Sequence, residues 1–166
     1  MNNGFGLFGD PSSTQSAIIV PKPDDENIYY IFTVDSHSGG NHLGLNYSEV
    51  DLSFDGGLGA ITNKNVNLLR ECSEKITAVL NDCLSKSIWV LTLASENGDL
   101  NNYNTYHAFE VTDTGVNITS VKSSFFLVVS ENRGYLKLSP DGNKLASANV
   151  RSGLYVYDFN ASTGTV

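Results

Sequence analysis

Positive charge is scarce in this sequence. Ten Lys and Arg stand against 18 Asp and Glu in 166 residues, a formal net charge of -8. A phosphate backbone is repelled by such a chain, which argues against nucleic-acid binding that tracks phosphates. Cysteine is scarcer still, with Cys72 and Cys83 the only two. They lack the C-x2-C pairing and the further Cys or His ligands of a zinc knuckle. A strand read at Ile76–Leu80, at about 3.3 Å per residue, holds them beyond the ~4.4–6.8 Å Cα separation of a disulfide, so both are expected to be unpaired. No apolar run approaches the ~18–20 residues of a membrane span. Met1–Leu7 has neither the basic n-region nor the apolar core of a signal peptide. What the sequence does have is 40% hydrophobic residues and 15 glycines. That is close to the roughly 45–50% apolar share of ordinary globular chains, enough for the core of one domain.

Strand signals dominate. Ile28–Val34, Ile88–Ala94, Phe125–Val129 and Leu154–Phe159 are short runs of β-branched, aromatic and aliphatic residues bounded by Gly, Asn, Asp and Ser. Apolar groups fall on both faces of each run, which predicts strands held between two layers. Helix signals are nearly absent. The best candidate, Asn67–Val79, carries Thr77 and Val79 and reads as a connection followed by a strand. Turn signals are frequent, as in Pro23–Asn27, Phe54–Gly57, Glu96–Asp99, Thr112–Gly115 and Ser139–Asn143.

Three stretches repeat. Tyr47–Leu52 leads into Asp55–Leu58, Tyr106–Val111 into Asp113–Val116, and Tyr155–Phe159 into Ser162–Val166, with an acid recurring at Asp51, Glu110 and Asp158. The period is roughly 50–60 residues, at the long end of blade-type repeats. Two strands joined by a turn precede each stretch: Ser16–Val20 with Ile28–Val34, Lys75–Leu80 with Ile88–Ala94, and Tyr135–Leu138 with Lys144–Ala148. Strand, turn, strand, loop, strand, Gly turn and fourth strand make a four-stranded antiparallel meander, the unit of a β-propeller. The expected fold is therefore all-β, a partial β-propeller of about three such blades, in one domain over residues 1–166. The blades are 12–70, 71–130 and an incomplete 131–166; the alternative is a β-sandwich. Closed propellers have about 4–8 blades, so a piece of a longer propeller, or one that closes by homo-oligomerising, is expected.

A family resemblance rests on particular segments. Asp10–Pro23 followed by Ile28–Asp35, then Gly44–Ser48 with Asp51, Gly56–Gly59, Lys64–Val66, Glu74–Val79 and Gly134–Gly142, resembles the WD-type propeller region of large secreted Bacteroidetes surface proteins. Those proteins carry immunoglobulin-like repeats and a gliding-motility or type IX secretion sorting tail. The resemblance implies a propeller, an extracellular or cell-surface location and no enzyme activity.

Candidate chemistry is thin. Asp35, His37 and His42 lie in one polar stretch with ligand chemistry for a metal, but two glycines separate the histidines and no helix or strand fixes them. Glu96–Asp99 with Asn101 and Asn102 is the nearest oxygen-rich stretch to a calcium loop, without the D-x-D-x-D-G pattern. No G-x-S-x-G nucleophile elbow occurs. Trp89 sits in a two-faced apolar run and reads as core. No cofactor is expected. The expected function is a non-catalytic scaffold or binding module for protein or glycan ligands, working through loops before the innermost strands: Pro11–Gln15, Arg70–Lys75 and Glu131–Tyr135. Gln15, Arg70, Lys75, Arg133 and Tyr135 are the candidate contact residues. The alternative is a propeller-type enzyme, such as a lactonase, glycosidase or lyase, with acids or histidines at the channel mouth.

Overall fold

Alternating apolar strands need a second layer on each apolar face, and the chain supplies it by stacking sheets. A computed structural model describes residues 1–36, 43–81, 86–99 and 101–166. Among them are twelve strands in three antiparallel sheets, one short 3-10 turn at Asp55–Gly57 and no α-helix. The first sheet runs β1 (Ala17–Pro21), β2 (Ile28–Val34), β3 (Leu45–Asp51), β4 (Ala60–Leu69), in that spatial order. The second runs β5 (Ile76–Leu80), β6 (Ile88–Ala94), β7 (Tyr103–Thr112), with the two-residue β8 (Gly115–Val116) and β9 (Val121–Val129) both paired to β7. The third is β10 (Gly134–Leu138), β11 (Lys144–Asn149), β12 (Gly153–Asp158). None of the three sheets closes on itself.

Local chemistry sets these meanders. At the β10–β11 turn, Asp141 Oδ1 accepts from Ser139 Oγ at 2.5 Å and Asn143 N at 3.2 Å, while Gly142 takes φ 69. Turn-closing side chains recur after the third strand of every sheet. Asp51 Oδ1 accepts from Ser53 N at 2.8 Å, Thr112 Oγ1 from Thr114 N at 3.2 Å and Asn160 Oδ1 from Ser162 N at 3.0 Å. The repeating function thus sits at Asp51, the first acid of the sequence pattern, but at Thr112 and Asn160 in the other two units, two residues beyond the pattern's Glu110 and Asp158. Gly134 is required where β10 begins: at φ 141, an added Cβ would stand 2.0 Å from the Ala148 carbonyl oxygen.

The sheets stack in chain order. Tyr30, Phe32, Val34 and Leu45 of the first sheet pack against Ile76, Val90, Phe109 and Val111 of the second. Trp89, Leu91, Leu93 and Tyr106, on the opposite face of the second sheet, pack against Leu136, Leu138 and Leu145 of the third. Alternation along β6 therefore feeds two cores. Neighbouring sheets come closest at their first strands, β1 to β5 and β5 to β10.

Three expectations need correction. Asn67–Leu69 ends β4 and is not connection. Phe126, Leu127 and Val128 are exposed, not held between layers. Their strand slips: Tyr103 pairs with Val129 but Thr105 with Ser124, so β9 carries extra residues that bulge outward. On β12, Leu154 and Val156 lie on an open sheet face and are exposed.

Candidate functional site

The segments leading into the three first strands meet. Gln15, just before β1, crosses to both other sheets. Its Oε1 accepts from Leu136 N at 2.8 Å and Ile76 N at 3.3 Å, and its Nε2 donates to Leu136 O at 3.2 Å. A primary amide matches two edge groups of β10 and one of β5, which explains a Gln here. Thr14 Oγ1 donates to Glu74 O at 3.2 Å and accepts from Gly134 N at 3.2 Å.

Glu74 and Lys75 are adjacent in extended chain, so their side chains leave in opposite directions. Glu74 is buried, and its carboxylate accepts from Thr14 N at 3.1 Å, Ser36 Oγ at 3.2 Å and Asn132 Nδ2 at 3.0 Å. Lys75 is also buried, and its ammonium donates to Asn149 Oδ1. Asn149 Nδ2 in turn donates to Ser147 O at 3.0 Å and Gly153 O at 3.1 Å. Burial pushes the Lys75 ammonium down to about 8, with Glu131 opposing that shift. Glu74 and Lys75 fasten the sheets to one another and present no charge to solvent.

Beside this junction lies a polar cleft of about 200 Å³ lined by Asn101, Tyr103, Ser130, Glu131 and Asn132. Glu131 is clamped by Arg133 Nε at 2.8 Å and Arg151 Nε at 3.3 Å. The Arg133 hydrogen bond holds the Glu131 carboxyl below its usual range. The cleft offers amide, hydroxyl and carboxylate groups at a rim where Arg133 is exposed.

Of the residues singled out by sequence, Gln15 and Lys75 come together at the junction, but both are committed to inter-sheet contacts. Arg133 stands at the cleft. Tyr135 is exposed on the open face of the third sheet, next to Ala148 across the strands. Arg70 is exposed at the end of β4, the strand farthest from β1. Asp35 is buried and accepts from Ser36 N and Leu43 N, both at 2.9 Å, closing the neck of its loop. His37 and His42 lie outside the described residues. In the second oxygen-rich loop, Asp99 N and Oδ1 both bond to Ser95 Oγ, at 3.2 and 3.3 Å. Among the described residues, no three His, Cys, Asp or Glu side chains gather as metal ligands. Cys72 is a free, buried thiol that burial pushes up to about 12, and Cys83 lies outside the described residues.

The sequence reading passed over His107. It is buried on β7, with Nδ1 at 2.8 Å from Ser120 Oγ and Nε2 at 2.8 Å from the Ser95 carbonyl. A carbonyl can only accept, so Nε2 carries hydrogen and, in the neutral ring, Nδ1 accepts from the Ser120 hydroxyl. A polar residue inside the run Tyr106–Val111 was the available signal. No family model, curated protein or solved structure matches the chain.

Proposed function

We propose that the chain forms three successive propeller blades, at 12–70, 71–130 and 131–166, of an exported bacterial surface protein. We further propose that it serves as a scaffold that binds protein or glycan ligands through its loops, with no chemistry at that binding site. One observation carries the reading. Each sheet is a meander laid down from its first strand outward, and the sheets stack face to face in chain order with those first strands closest together. Sheets that come together at their first strands fit the blades of a propeller, whose innermost strands ring the central channel.

The open outer faces fit this reading. Ile19 on the first sheet and Tyr135, Leu154 and Val156 on the third are exposed apolar groups that a further blade, from a longer chain or a second copy, would cover. The ligand site in this reading is the cleft at Asn101, Glu131 and Asn132, with Arg133 on its rim. Glu74 speaks against an active site at the channel mouth, because the acid nearest the first strands is spent on hydrogen bonds.

Two experiments test the reading. A crystal structure should show the three sheets arranged about one axis near β1, β5 and β10; sheets stacked without such an axis overturn the propeller. Screening the chain on glycan and peptide arrays should give saturable binding that Asn101→Ala with Arg133→Ala weakens by about tenfold or more, the loss of roughly 1.4 kcal/mol. Binding indifferent to both substitutions, or no binding, overturns the cleft as the site.

A further inference from the structure

Away from the junction, a second cleft of about 240 Å³ opens between the first and second sheets. Leu68, Phe109 and Ile118 give it apolar wall, and Asn97, Thr119 and Lys122 give it polar wall. His107 and Ser120 also line it. Three features of this pair go beyond a chance contact. The Ser95 carbonyl fixes the ring with hydrogen on Nε2, leaving Nδ1 as a base 2.8 Å from the Ser120 oxygen. Ser120 sits in the loop before β9 and is half-buried, so its hydroxyl lies where cleft and solvent meet. Lys122 is directly across the strands from His107, which puts its cationic side chain on the same face. Burial lowers the affinity of His107 for a proton, which favours the neutral ring.

We propose that Ser120 and His107 are a nucleophile and general base that hydrolyse carboxylic esters carrying a short apolar acyl group. Ser120 Oγ bonds to the ester carbonyl carbon while its proton passes to His107 Nδ1. Negative charge collects on the former carbonyl oxygen, where the Lys122 ammonium stabilises it. The intermediate collapses by breaking the bond to the alkoxy oxygen, which takes the proton from Nδ1 and leaves as an alcohol. Water then attacks the acyl group on Ser120 and gives a proton to Nδ1. The carbon–Oγ bond breaks, Ser120 recovers that proton, and a carboxylic acid departs. The Ser95 carbonyl holds Nε2–H throughout and stabilises the imidazolium of each half-reaction. The acyl chain lies against Leu68, Phe109 and Ile118. This activity is separate from the ligand cleft and does not depend on it.

The test treats the full chain with a fluorophosphonate probe, maps the adduct by mass spectrometry of peptides and follows p-nitrophenyl butyrate hydrolysis. The expected result is a label on Ser120 in preference to every other serine, lost when the chain is unfolded in urea. Ser120→Ala should abolish the label and lower hydrolysis by about 100-fold or more, because it removes the nucleophile and with it the general-base help that His107 gives. Lys122→Met should lower kcat with the unfolding midpoint unchanged. No adduct at Ser120 on the folded chain, a label that survives urea, or undiminished hydrolysis by a folded Ser120→Ala chain overturns the proposal. Labelling of the native chain decides the matter even where Ser120→Ala fails to fold.

Discussion

β6 and β12 look alike on paper and behave differently in the fold. Both are runs of aliphatic and aromatic residues with no clean alternation. Every residue of β6 from Trp89 to Ala94 is buried, because the second sheet has a neighbour on each face. β12 belongs to the third sheet, which has a neighbour on one face only, and its Leu154 and Val156 stay 66% and 63% exposed. A two-faced apolar run therefore marks a strand suited to lie between layers. Whether it does so depends on a layer that the run itself does not contain.

The largest expected effect contrasts these two environments directly. Phe109→Ala, in the second sheet, should destabilise the chain by about 3–5 kcal/mol, from lost burial and the cavity left behind. Leu154→Ala on the open face should stay within about 0.5 kcal/mol of the native chain. Urea unfolding of both variants measures the gap, and equal losses would mean that the open face is covered in solution.

Glu74→Ala comes next, at about 2–3 kcal/mol, since donors from Thr14, Ser36 and Asn132 lose their acceptor away from water. Glu74→Gln should recover part of this, because one amide oxygen remains to accept. Thermal unfolding of the two variants gives the ordering. Asp158→Asn, at the exposed pair with Lys144, should leave the midpoint unmoved by comparison.

A smaller effect comes from the acid–base behaviour of the junction. The Lys75 ammonium sits near 8 in the folded chain against an ordinary value of 10.5, so the unfolded chain binds more protons between those limits. Stability should therefore rise with pH from about 8 towards 10. Above 10 the buried Tyr30, Tyr103 and Tyr106 oppose the rise, because burial raises their phenols and the unfolded chain loses those protons first. Melting temperatures between pH 7 and 10 should show the rise in the native chain and a flat profile in Lys75→Met. A native profile that falls over this range would exclude a depressed Lys75.

The strands were legible because their causes are local. β1, β2, β5 and β6 lie where β-branched runs and Asp, Asn or Gly turns put them, and β10 and β11 lie on either side of the Ser139–Asn143 turn. The assembly of the junction was half legible. That Pro11–Gln15, Arg70–Lys75 and Glu131–Tyr135 precede first strands follows from the repeat, and Thr14, Gln15, Glu74 and Asn132 do meet. That Lys75 is buried was not legible, since its partner Asn149 is 74 residues away. The β9 bulge escaped for a related reason: an edge strand is paired on one side only, and its slip against β7 leaves no mark in composition. His107 was hidden because its two partners come from separate loops.

Gln15 joins Leu136 across 121 residues, and this has a kinetic consequence. Each meander closes through contacts near in sequence, so a nascent chain can settle the first sheet, then the second, as each emerges. The Gln15 amide can reach only Ile76 until residue 136 has been made. The last lock on the first strand therefore waits for the third sheet, and until then the N-terminal segment is the part most open to exchange and proteolysis. Pulsed hydrogen exchange during refolding should find the Leu136 amide among the last protected.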